Sequence, residues 1–83
     1  MTTAKLFKLT KDGNKLLGAF VVKNGRVVAR PVAGSETILK QVLSRSILAG
    51  STGRRVKAME DPELWVRSLP FHYHGTYLWA EVV

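Results

Sequence analysis

Cysteine is absent from this 83-residue chain. That excludes a disulfide scaffold, a thiolate zinc site and thiol catalysis. Acidic residues are scarce, 6 against 13 Lys and Arg, for a net charge of +7. No apolar run approaches the ~20 residues needed to span a bilayer. No basic n-region followed by an apolar h-region opens the chain. The expectation is a cytoplasmic protein with no membrane partner. Histidine occurs only twice, at His72 and His74. A zinc site built on that pair would need Asp or Glu as its third protein ligand. No metal and no cofactor are therefore expected. Serines are present, but none sits in a nucleophile-elbow pattern. The Gly-Ser-Thr-Gly run at 50–53 is not a Walker loop, because no Gly-Lys-Ser/Thr closes it.

What the chain does have is apolar content, 46% of residues. That is enough for a globular α+β domain spanning residues 1–83. Its organising stretch is Leu16 to Val32, where two apolar runs flank Asn24-Gly25. Asn-Gly favours the positive φ angles of a type I′ turn and predicts a β-hairpin. Lys5 to Thr10 alternates as a preceding strand, with Asp12-Gly13 as its turn. In that register Phe7, Leu9, Leu16, Phe20, Val22, Val27 and Ala29 share the core face. The other face then carries Leu6, Lys8, Leu17, Ala19, Val21, Lys23, Arg26, Val28 and Arg30.

Pro31 and Gly34 end the third strand and place it at a sheet edge. Ser35 is a plausible N-cap, and Ile38, Leu39, Val42, Leu43 and Ile47 recur at helical spacing. This predicts one main helix over Ser35–Ala49, with Gly50 beyond its end. Asp61-Pro62-Glu63 starts a short helix that Pro70 stops at Leu69. Trp65 is its packing anchor. Thr76 to Val83 alternates as a last strand, with Leu78, Ala80 and Val82 facing the core and Tyr77, Trp79 and Glu81 opposite. The element order is β-β-β-α-α-β around a four-stranded, mostly antiparallel sheet, with the main helix packed on one face.

The charge is unevenly placed. Residues 1–57 hold twelve of the 13 basic residues against Asp12 and Glu36, whereas residues 58–83 hold Arg67 against four acids. Such a field steers a protein toward nucleic acid or an acidic protein surface. The second sheet face would set Tyr77 and Trp79 among basic residues, and stacking beside cations holds single-stranded nucleic acid. Arg26, Arg30, Arg54, Arg55, Lys57, Tyr77 and Trp79 are the candidate binding residues. There is no RNP1-type motif, and the element order is not that of an RRM.

Two alternatives follow from the same residues. His72 and His74, at i and i+2 in an extended segment, would share a face and could act as acid and base in RNA cleavage by a toxin-like ribonuclease. Leu6, Leu17, Val21 and Val28 would form an apolar patch suited to a homodimer or another protein partner. The leading expectation is a non-enzymatic binding protein.

Overall fold

The computed structural model describes residues 2–50, 53–74 and 77–83. The serine and threonine of the 50–53 run, and residues 75 and 76, the second of them the expected start of the last strand, lie outside them. Three strands come first: β1 (Thr3–Thr10), β2 (Gly13–Lys23) and β3 (Arg26–Pro31). Helix α1 (Glu36–Leu43), strands β4 (Ile47–Leu48) and β5 (Arg55–Val56), helix α2 (Pro62–His72) and strand β6 (Leu78–Val82) follow. The main sheet has the order β3-β2-β1-β6 and is antiparallel throughout. The α+β architecture is the expected one, and β3 lies at an edge. The second hairpin also has the expected register, pairing Val22 with Val27 and Phe20 with Ala29. Asn24 and Gly25 both take positive φ, 53° and 74°, as a type I′ turn requires.

The first hairpin differs from expectation in two ways. Its turn is Lys11-Asp12, because Thr10 pairs with Gly13. The Thr10 hydroxyl holds it, donating to the Gly13 carbonyl at 2.7 Å and accepting from the Asp12 N–H at 3.3 Å. The register then shifts: Phe7 pairs with Leu16, but Leu6 pairs with Gly18. Leu17 is the extra residue of a β-bulge. The consequence is a correction to the faces. Leu6 and Leu17 are 0% and 3% exposed in the core, so the expected patch of Leu6, Leu17, Val21 and Val28 is not assembled. Phe7, Leu9 and Leu16 move to the opposite face. Gly18 lies directly under α1: a Cβ there would stand 2.6 Å from a Leu39 methyl and 2.6 Å from the Arg30 carbonyl oxygen.

Helix α1 is shorter than Ser35–Ala49. The Ser44 hydroxyl bonds back to the Gln41 carbonyl, and the Arg45 carbonyl accepts from the Trp65 indole N–H at 3.1 Å. With those groups diverted, the chain leaves the helix, and Ile47 pairs with Val56 as a strand residue. Helix α2 starts as expected, with the Asp61 carboxylate accepting from Leu64 N–H at 3.2 Å and Pro62 in its first turn. It continues through Pro70, which forfeits one N–H bond near the end; the Tyr73 N–H still reaches the Leu69 carbonyl at 2.8 Å.

Helix α2 lies across the sheet, and α1 covers β2 and β3. Trp65, fully buried, meets Phe20 edge to face, with ring centroids 5.2 Å apart. Ala4, Leu6, Leu39, Ile47, Val56 and Leu69 complete the centre of one core. Both helices and the β4–β5 pair thus occupy one side of the sheet.

Candidate nucleic-acid interface

The other side of the sheet is not covered by any described element. Its side chains follow from the register. One row across the strands is Trp79, Phe7 and Leu16; the next is Glu81, Lys5, Ala19 and Arg30; the next is Thr3, Val21 and Val28. Lys23 and Arg26 close the β2–β3 end, and Leu9 extends the other. Phe7 and Trp79 are half-buried cross-strand neighbours, while Lys5, Arg26 and Arg30 are exposed. Leu9, Leu16 and Val28 are exposed at 57%, 40% and 37%. The Trp79 indole N–H donates to Glu81 at 3.3 Å, and the His74 ring lies against it at 5.3 Å between centroids. The face is an aromatic and aliphatic strip bordered by cations.

The seven candidate binding residues are divided by the fold. Arg26, Arg30 and Trp79 share the open face. Arg54, Arg55 and Lys57 sit in the helical layer, where the flanking Ile47 and Val56 are buried in the core. The Arg55 guanidinium donates to the Ser46 carbonyl at 3.1 Å. Tyr77 precedes β6 and lines a cavity with Lys8 on the helical side, so neither joins Trp79. Phe7, Lys5 and Leu16 take their places. The sequence did hold a signal for this: Leu16-Leu17-Gly18 puts two large apolar residues before an isolated strand glycine, a pattern of bulges.

The two histidines do not share a face. His72 belongs to α2, and its Nδ1 accepts from the Leu48 N–H at 3.4 Å. Burial holds its pKa below the ordinary value, and Arg55 and Arg45 add to the effect. His74 lies against Trp79 instead. The acidic run is used structurally. Glu60 accepts from the Lys57 N–H at 3.1 Å, and Asp61 caps α2. Glu63 accepts from the Thr2 hydroxyl and pairs with Arg67 at 2.8 Å, and these bonds lower its pKa. Among the described residues no group of three or more potential metal ligands comes together, and no helix is long and apolar enough to cross a membrane.

These features define a class by architecture alone: a small open-faced antiparallel sheet backed by two helices. No protein-family model, curated protein or solved structure matches the chain.

Proposed function

We propose that this protein is a non-enzymatic binder of single-stranded nucleic acid, acting in the cytoplasm through its open sheet face. The observation that carries the reading is the pairing of Phe7 with Trp79 on an uncovered face bordered by Lys5, Lys23, Arg26 and Arg30. Bases stack on the two rings, and the cations neutralise the phosphates between them. A duplex hides its base faces, so the strip favours a single strand. Arg54, Arg55 and Lys57, on the other layer, supply long-range attraction to the polyanion.

The test is fluorescence anisotropy with a short labelled single strand and a matched duplex at several salt concentrations. Saturable binding with preference for the single strand, and RNA left uncleaved, is the expected result. No saturable binding to either near physiological salt overturns the reading.

A further inference from the structure

A second site lies at the end of the sheet where β1 finishes and β6 begins. A cavity of about 80 Å³ is lined there by Lys8, Gln41, Arg45 and Tyr77, with the buried Val42 and Leu78 behind them. No carboxylate lines it, and no ion pair joins Lys8 or Arg45 to a carboxylate of the described residues. The polar groups come from separate elements: β1, α1, the segment after α1 and the segment before β6. An ammonium, a guanidinium fork, an amide NH₂ and a phenol can all donate hydrogen bonds, and the residues that carry them line one small space. The Tyr73 hydroxyl is buried without a well-formed hydrogen bond. Burial raises its pKa, and the Arg45 charge partly offsets that rise.

The volume decides the ligand's size. At about 80 Å³ the space has room for a group the size of a tetrahedral oxyanion. We infer that this cavity binds a dianionic phosphate group, free or terminal on a monoester, which offers three unprotonated oxygens to these donors. The inference deepens the proposed function and rests on it for one source of the ligand. Lys8 and Leu78 pair one register position beyond Phe7 and Trp79. A strand stacked on the open face can therefore turn around the sheet end and bring its terminal phosphate into the cavity. Free phosphate is the other source of the same chemistry.

The experiment uses four probes: inorganic phosphate alone, and one short single strand carrying a 5′-phosphate, a 3′-phosphate or neither. Inorganic phosphate is titrated by NMR, reading the signals of Lys8, Arg45 and Tyr77; the strands are compared by anisotropy. The expected result is a saturable shift at those three residues and about tenfold tighter binding of one phosphorylated strand. Lys8→Met and Tyr77→Phe each remove that preference and leave Trp79-dependent binding of the unphosphorylated strand. Both side chains are exposed, so an unchanged melting temperature is expected. Phosphate binding without strand discrimination keeps the site and assigns it to free phosphate. Phosphate binding with no strand binding keeps the site while the proposed function falls. No shift with inorganic phosphate and no preference among the strands overturns the inference, even where the unphosphorylated strand still binds.

Discussion

Replacing Gly18 by Ala tests the bulge that decides which residues reach the open face. The new methyl group would stand 2.6 Å from the Arg30 carbonyl oxygen, 2.6 Å from a Leu39 methyl and 2.9 Å from the Pro31 Cα. Ordinary carbon contacts are about 3.5–4.0 Å. The leucine can rotate, but the other two atoms are backbone of β3. Overpacking of this kind costs about 1–3 kcal/mol. Gly18 also has a φ of +154°, which an L side chain rarely adopts, at a further ~1–3 kcal/mol. Ala restricts the unfolded chain and returns about 0.4–1 kcal/mol. The net loss is about 2–5 kcal/mol, out of a typical domain stability of about 5–15. At roughly 4–8 °C per kcal/mol for a chain this size, Tm should fall by about 8–40 °C, or the variant should not fold. Gly13→Ala is the control: its φ is +110°, but no atom lies within 4 Å of the added methyl. It should lose only the conformational part, about 1–2 kcal/mol. Thermal and urea unfolding followed by circular dichroism measure both. If Gly18→Ala melts with Gly13→Ala, or within about 0.5 kcal/mol of the wild type, α1 does not pack on the bulge as described.

Trp79→Ala should weaken single-strand binding by ~1–3 kcal/mol, the worth of one stacked base, and leave its salt dependence nearly unchanged. Three or four phosphate contacts from Lys5, Lys23, Arg26 and Arg30 give a slope of log K against log salt of roughly −2 to −3. The Arg26→Ala/Arg30→Ala double variant should reduce it by about 1.4, and Arg54→Ala/Arg55→Ala by less. Because the folded pKa of His72 lies below its unfolded value, stability should be unaffected well above pH 6.5. It should fall as pH drops from there toward the folded pKa, where the unfolded chain takes up the proton first. His72→Asn, which keeps an acceptor for Leu48 N–H, should flatten that decline in melts across pH 4.5–7.5. Light scattering should find a monomer; a dimer abolished by Leu16→Lys would give the open face to a second copy.

The parts of the fold legible in the sequence were those set by local chemistry. Asn24-Gly25 fixed one turn, and with it the correct pairing of Val22 with Val27 and Phe20 with Ala29. Asp61-Pro62 marked the start of α2. What alternation could not supply was the bulge at Leu17, because period-2 counting assumes one residue opposite one. A single extra residue there exchanged Leu6 and Leu17 for Phe7 and Leu16 on the open face. Helical spacing likewise carried α1 too far, since Ile47 fits the helical stripe as well as it fits a buried strand. Beyond the end of the helix the Arg45 carbonyl accepts a long-range bond from the Trp65 indole, which no local pattern records. Three of the seven candidate binding residues share one face for a related reason: Arg26 and Arg30 lie on the hairpin whose register was read correctly, and Trp79 follows the alternation read for the last strand, whereas Tyr77 precedes β6 and lies with Lys8 on the helical side.

The two rims of the sheet bear on whether it can grow. On the β6 side, the Ala80 N–H is already taken by the Tyr73 carbonyl at 3.2 Å. On the β3 side, Pro31 has no N–H to offer. Two copies meeting antiparallel along β3 around Val28 would set Arg26 of each opposite Arg30 of the other, and like charges directly opposed are destabilising. A second copy meeting the sheet in this way therefore finds an occupied donor on one rim and opposed guanidinium groups on the other. Both features act against edge-to-edge growth of the sheet.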